Sequence, residues 1–220
     1  MYTLRVARAR VRFKVNSNIF HEPNQSRLEC DSMIYEKIKS RRSIRKYARK
    51  EVPSEVLLKC VEAARLSPSG ANRQPLRYVI VDDQELLREV FSTLSWAGYL
   101  PEYKPSEEEM PGAYVVILLD KNIRKDPGHD AGIAAMSISM VAYDEGLGSC
   151  ILGAIHREKL RKILNVPDDL HIILVVSLGY PAENPVVDKI QDEDIKYWLD
   201  ENGVLHVPKR ELKDIMTRNL

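Results

Sequence analysis

AGIAAMSISMVAYDEGLGSCILGA, residues 131–154, holds the clearest structural signals in the chain. Ala131–Glu145 has the run of a helix and is rich in small residues: Ala131, Gly132, Ala134, Ala135, Ser137 and Ser139. A face built from small side chains lets a second helix, or a flat ligand, come close. Gly146 ends the helix. Gly148 and Gly153 then permit close backbone approach to a ligand. The order is not GxGxxG and no lysine follows a glycine loop, which excludes a Rossmann fingerprint and a P-loop.

Buried strands flank this stretch. Ala113–Leu119 is apolar throughout and so predicts a central strand; Ile172–Leu178 predicts another, and Leu76–Asp82 a third. Three helices are expected from apolar spacing. One starts at a cap on Asp31 or Ser32 with Ile34 and Ile38 inward. One opens at Pro53-Ser54 with Val56, Leu57, Cys60, Val61 and Ala64 on one face. The third carries Leu86, Leu87, Val90, Phe91 and Leu94. A short helix with Leu160, Ile163 and Leu164 precedes Pro167. In the tail, Asp194–Leu199 and Val204–Val207 predict a hairpin about Asn202-Gly203, and a last helix carries Leu212 and Ile215. Strands and helices mix without strict βαβ alternation, so the fold class is α+β, a mixed three-layer sandwich.

Length and charge narrow the function classes. The chain has 220 residues and 44% hydrophobic content, which suits one domain plus an appendage. Residues 1–32 are the appendage: Arg5, Arg8, Arg10, Arg12 and Lys14 stand in its first fourteen residues with no acid among them, a pattern expected of a poorly ordered extension. The compact domain is expected to span 33–220. Lys+Arg of 33 against Asp+Glu of 32 leaves a net +1, so no global field draws the protein to nucleic acid. No apolar run reaches the length of a membrane span. Cys30, Cys60 and Cys150 show no CxxC spacing, and His21, His129, His156, His171 and His206 no metal spacing; a disulfide framework and a metal site are not expected, and a cytoplasmic setting is.

Three constellations carry chemistry. Arg41-Arg42-Ser43-Ile44-Arg45-Lys46-Tyr47 lies in a stretch, Lys37–Lys50, without an acid. Guanidinium forks pair bidentately with phosphate oxygens. Ser67-Pro68-Ser69-Gly70-Ala71-Asn72-Arg73-Gln74-Pro75 places two amide side chains in a loop before a strand, suited to reading a ring edge. Gly146–Ala154 is the third. Taken singly, each also fits a plain structural role: a solvated basic helix end, a helix-to-strand connector, and a glycine-rich turn with a buried small thiol at Cys150.

Taken in order, these motifs resemble the nitroreductase family of FMN-dependent oxidoreductases. The resemblance covers about residues 33–220. It rests on Arg41–Tyr47, on Pro68–Pro75, on the small-residue helix running into Gly146-Leu147-Gly148-Ser149-Cys150 with Gly153 beyond, on Gly179-Tyr180-Pro181, and on the late cations Lys209 and Arg210. It implies a mostly antiparallel central sheet flanked by helices in a domain-embracing homodimer, with FMN sites at the subunit interface. Arg41, Arg42 and Ser43 would meet the phosphate and ribityl chain, and Arg45 the ribityl hydroxyls and the N1/O2 edge. Asn72 would come from the partner chain, with Pro68, Ser69 and Gln74 shaping that wall. The amides of Leu152 and Gly153 would face N5/O4, Ile151 would stand where the family often has an aromatic, and Lys209 and Arg210 would close on the phosphate. Met136-Ser137 replaces a frequent Gln-Asn.

The activity so implied is transfer of electrons from NAD(P)H to a nitroaromatic, quinone or other conjugated small molecule by a ping-pong route. The flavin carries the chemistry and no protein acid or base is required. The alternatives are a flavin-binding or flavin-consuming protein of the same fold, and a nucleic-acid module using the basic arm 1–14 and the cluster 37–50. Ser95–Pro105 carries Trp96, Tyr99 and Tyr103 around Gly98, a pattern expected of either a lid that touches substrate through Trp96 and Tyr99 or a connector packed on the domain.

Overall fold

In the computed structural model the described residues are 25–218, with side chains from Met33 onward. The basic arm therefore lies outside the described residues. Residues up to Glu36 form a unit of their own, and Lys37–Leu220 forms the main compact unit.

The first helix, α1 (Gln25–Ser40), starts earlier than the expected cap at Asp31 or Ser32. The main unit then runs β1 (Tyr47–Ala48), α2 (Ser54–Leu66), β2 (Leu76–Val81), α3 (Gln84–Phe91), β3 (Ala113–Asp120), α4 (Asp130–Asp144), β4 (Gly148–Leu152), α5 (Arg157–Ile163), β5 (Leu170–Pro181), β6 (Val186–Lys189), β7 (Trp198–Leu199), β8 (Leu205–Lys209) and α6 (Leu212–Ile215). In the central sheet β5 is the hub: it pairs with β3, β4 and β1, and β3 pairs with β2. All of these pairings are antiparallel.

The apolar run of β3 has both faces buried, because alternate side chains enter different cores. Ala113, Val115 and Ile117 join Leu57, Cys60, Ala135 and Ile138 of α2 and α4. Tyr114, Val116 and Leu118 join Leu87 and Val90 of α3, Leu160 of α5, and Cys150 and Leu152 of β4. This makes three layers, helices on both faces of one sheet. Asp83 caps α3 by accepting from the amides of Glu85 and Leu86, both at 3.0 Å.

The stretch 148–152, met in sequence as a glycine-rich turn, is the strand β4. Its Gly148 is needed for packing within the chain: a Cβ there would fall 2.6 Å from Ile44 Cγ1. The tail differs as well. β7 and β8 form the expected hairpin, with Gly203 at φ +74° supplying the left-handed position. β6 adds to β8 in parallel. The hairpin does not stand free: Leu205, Tyr197, Leu199 and Val207 share a small core with Ala97, Leu100 and Tyr103. Ile34 and Ile38, expected inward, are exposed. Periodicity reveals an apolar face but not what covers it. Among the described residues no helix is long and apolar enough to cross a membrane.

Candidate functional site

The Arg41–Tyr47 segment leaves α1 and is pinned at its apolar positions. Ile44 is buried and donates its amide to the Ser149 carbonyl at 2.9 Å. Tyr47 is 1% exposed, and its hydroxyl bonds the Ile44 carbonyl and Ser177 Oγ. Ser43 sits opposite Ser149 in an isolated bridge. Anchoring Ile44 and Tyr47 fixes Arg41, Arg42, Ser43 and Arg45 as a half-buried row beside β4.

Among the described residues, none of the Arg41, Arg42 and Arg45 guanidinium groups forms an ion pair. The Arg41 and Arg42 guanidinium groups each donate to the other residue's carbonyl, at 3.3 and 2.6 Å. Both Nε atoms are buried without a hydrogen-bond partner, and so is Ser149 Oγ. Burial, then the neighbouring Arg42, pulls the Arg41 pKa below its ordinary value, partly opposed by Cys150. Buried donors without acceptors are costly and rare. Several on one patch, two of them cationic, describe a cradle for an anion. The Cys150 thiol beneath is pushed up by burial, so it sits there as a neutral side chain.

The loop 67–75 is held by a residue that the motif reading did not single out. Asp130, 5% exposed at the start of α4, accepts from Ser69 Oγ at 2.6 Å and from the Gly70 amide at 3.0 Å. Ser69 Oγ accepts in turn from the Gln74 amide at 2.9 Å. Burial pushes the Asp130 pKa up, but the bonds from Ser69 and Gly70, with Arg124 and His129 nearby, hold it below the usual aspartate value. The loop needs this clamp. Ala71, Asn72 and Gln74 have φ of 53°, 53° and 50°, in the left-handed region that costs non-glycine residues energy. Pro68, Asn72 and Gln74 are exposed, and Gln74 Nε2 donates to Asn72 Oδ1 at 3.2 Å.

The arginine row and the Ser69 loop lie at opposite ends of α4. At its C-terminal end Tyr143 donates to Ser40 Oγ at 2.8 Å, and Lys37 pairs with Asp144, next to the arginine row. At its N-terminal end Asp130 holds the Ser69 loop. A helix of 15 residues puts about 21 Å between them at a rise of about 1.5 Å per residue.

β4 carries the third group. Leu152 is buried, whereas Ile151 and Gly153 are exposed at the strand end. Arg157 fixes that end by donating to the carbonyls of Gly153, Ile172 and Ile173 at 3.0–3.2 Å. Lys209 and Arg210 are exposed at the end of β8, where Arg210 pairs with Glu193 at 2.7 Å. The structure divides the aromatic segment. Trp96 is 6% exposed against Phe91, while Tyr99 is 49% exposed. The Tyr99 ring packs tilted against that of Tyr197, which lies under Arg45. Glu183 accepts from the amides of Arg45 and Lys46 and from the Tyr103 hydroxyl. Neither Tyr197 nor Glu183 was signalled by a motif; only the Gly-Tyr-Pro-Ala-Glu order after β5 and the Tyr-Trp pair entering β7 mark them.

The family model described as "Nitroreductase family" matches residues 38–180. The chain belongs to the nitroreductase family. A protein of Methanothermobacter thermautotrophicus, provisionally named NADH dehydrogenase/NAD(P)H nitroreductase, is 33% identical over 170 residues, 73% of this chain and 84% of its own. An iodotyrosine deiodinase of Thermotoga neapolitana is 24% identical over 169 residues, 69% of this chain and 90% of its own. Among solved structures, an FMN-dependent nitroreductase of Clostridium difficile superposes with a TM-score of 0.56 at 29% identity, covering 76% of this chain and 92% of that one. The nitroreductase fold expected from the motifs is therefore the fold observed, and the family makes the chain an oxidoreductase.

Proposed function

We propose that the protein is an FMN-dependent oxidoreductase, acting as a homodimer, that passes electrons from NAD(P)H to a conjugated small molecule in a ping-pong cycle. The observation that carries this reading is the cradle of Arg41, Arg42 and Ser149, whose buried donors have no acceptor among the described residues. It fits the phosphate end of FMN, with Ser43 and Arg45 following along the ribityl chain. When bound, FMN supplies the hydride acceptor and the electron donor for both half-reactions. The chain's own residues bind, orient and wall the site. Arg157 holds the Gly153 end of β4 in place, so that the Leu152 and Gly153 amides present a fixed edge. Asp130 holds the Ser69 loop so that Asn72 and Gln74 form a preset polar wall, with Pro68 beside them. Lys209 and Arg210 add positive charge near the phosphate.

The α4 separation supports the dimer. Arg41 and Asn72 of one chain lie at opposite ends of α4, and two chains packed antiparallel along α4 would bring one chain's arginine row to the other's loop. Apolar side chains left uncovered on these helices fit such packing: Ile38 is 49% and Ile133 is 37% exposed, the latter in a shallow groove with Met136 and Met140. Cys60 and Cys150, buried and unpaired, fit a reducing cytoplasm.

Tyr99 is the residue proposed to touch the acceptor. Relatives named iodotyrosine deiodinase add halogenated phenols to the nitroaromatics and quinones as acceptor classes to test. The purified protein should show flavin absorbance, bleach anaerobically with NADH or NADPH, and recover when an acceptor is added. Bleaching without recovery by any acceptor class would favour a flavin-consuming protein; no flavin uptake on reconstitution with FMN would refute the reading.

A further inference from the structure

Two features of the molecule meet at one side chain. The Arg41–Tyr47 segment, which forms the anion cradle, and the 95–105 segment, which carries Tyr99, touch directly where Lys46 Nζ lies 4.9 Å over the Tyr103 ring, and are tied further by Tyr197 of the tail and by Glu183 just after β5. Tyr197, just before β7, lies with its ring under the Arg45 guanidinium, 5.1 Å from centroid to Cζ. It also contacts Tyr99: the rings are 5.0 Å apart and tilted by 54°, and the Tyr99 amide donates to the Tyr197 hydroxyl at 3.1 Å. Glu183 makes a second, parallel tie, taking the Arg45 and Lys46 amides on one carboxylate oxygen and the Tyr103 hydroxyl on the other. Beneath both ties the small core of Leu205, Tyr103 and Ala97 holds the tail against the segment.

The physical consequence is a shared constraint. A cation over an aromatic face is held at a preferred place without being neutralised. Arg45 thus keeps its charge for a ligand while losing freedom to move. The same ring supplies the acceptor for an exposed backbone amide on a segment that contains Gly98 and the strained Ala97, at φ 45°. Without that acceptor the segment loses a hydrogen bond where its own backbone offers none in exchange.

We propose that Tyr197 is a positioning residue, and a determinant of acceptor specificity, that sets Arg45 and the Tyr99 segment relative to one another. The ring governs Arg45 and the hydroxyl governs the segment, so the two functions separate by substitution. The proposal rests on the flavin reading above for what Arg45 touches, but the coupling itself is a property of the chain.

The test compares Tyr197→Phe, which removes only the hydroxyl, with Tyr197→Leu, which removes the ring as well, and Glu183→Gln, which weakens the parallel tie. In the purified full chain without flavin, Tyr197→Phe should speed hydrogen exchange at the Tyr99 amide about tenfold, the loss of one neutral hydrogen bond, with unchanged melting. In the FMN-loaded protein, Tyr197→Phe should raise the acceptor KM about five- to tenfold at a similar kcat, and unequally for acceptors of different size, while FMN affinity stays within about twofold. Tyr197→Leu should in addition shift the flavin absorbance bands and weaken FMN. Should Tyr197→Leu fail to fold, Tyr197→Phe and Glu183→Gln carry the test, the latter raising exchange at 97–103. Unchanged Tyr99 exchange in a folded Tyr197→Phe, or acceptor KM values unmoved in both Tyr197→Phe and Glu183→Gln, would overturn the proposal. A chain that takes up no FMN yet shows the exchange effect would refute the flavin reading and leave the coupling established.

Discussion

The two ends of α4 are built on different terms. At the C-terminal end, the arginine row is fixed by buried anchors: Ile44 against Gly148, and Tyr47 against Ser177. The backbone there is set by core packing, and what remains unsatisfied is chemical, a group of donors without an acceptor among the described residues. At the N-terminal end, the Ser69 loop is exposed and conformationally strained, and the Asp130 carboxylate holds it. Its side chains are satisfied locally, and what remains open is a surface. In the proposed site, one end supplies the charge and the other the wall. The difference teaches that a ligand site need not be recognisable at both of its edges in a single chain.

Attacking the buried end should give the largest effect. Gly148→Ala puts a methyl group 2.6–3.0 Å from three carbons of Ile44. It should cost about 3 kcal/mol of stability, the upper part of the overpacking range, measured by denaturant unfolding. A loss below about 0.5 kcal/mol, within the range of a neutral surface change, would mean that Ile44 is not an anchor.

Arg41→Ala leaves the anchors and removes one guanidinium from the cradle. FMN affinity should fall by about 1.5–3 kcal/mol, the scale of a hydrogen bond to a charged group. Flavin-free stability should be unchanged or slightly higher, because a half-buried cation without a counter-charge is removed. Flavin titration and thermal melting separate the two. A destabilised variant that keeps its FMN affinity would reverse the roles assigned to the two ends.

Asp130→Asn tests the wall and should lower stability by about 1–2 kcal/mol, less than Gly148→Ala, through weakened charge-assisted bonds. Its pH dependence carries a sign. A carboxylate with a lowered folded pKa contributes fully above the ordinary aspartate value of about 3.9 and loses that contribution as pH falls through the folded value. The acid-side drop in stability should therefore be shallower in Asp130→Asn than in the parent. An acid limb of equal slope would show that Asp130 is not the clamp.

Much of this was legible beforehand. The strand 113–119 and its partner 172–178 announced themselves by continuous apolar runs, and the arginine row by cations without acids. β4 was missed because Gly148 and Ser149 mask the alternation that Cys150, Ile151 and Leu152 would otherwise show. β1 is only Tyr47–Ala48, too short for any period. Asp130, Glu183 and Tyr197 could not be found by local pattern, since their partners lie far away in sequence: Glu183 bonds the Arg45 amide across 138 positions and Tyr197 the Tyr99 amide across 98. The inward side of α1 was misjudged for a related reason. Ile38 is apolar at helical spacing, yet nothing in the sequence names its cover.

The central claim is that each site takes its arginine row from one chain and its Asn72 wall from another, and subunit complementation addresses it directly. Arg41→Ala and the double variant Asn72→Ala/Gln74→Ala, each impaired in FMN retention alone, are co-expressed with different tags and the hybrid dimer is isolated. In a shared site, one of the two sites of the hybrid has both defects and the other has neither. The hybrid should then retain FMN at about half the parent's stoichiometry with parental affinity, as two-fold symmetry requires. A hybrid no better than either parent variant, or a monomer in light scattering that still holds FMN, would contradict the account.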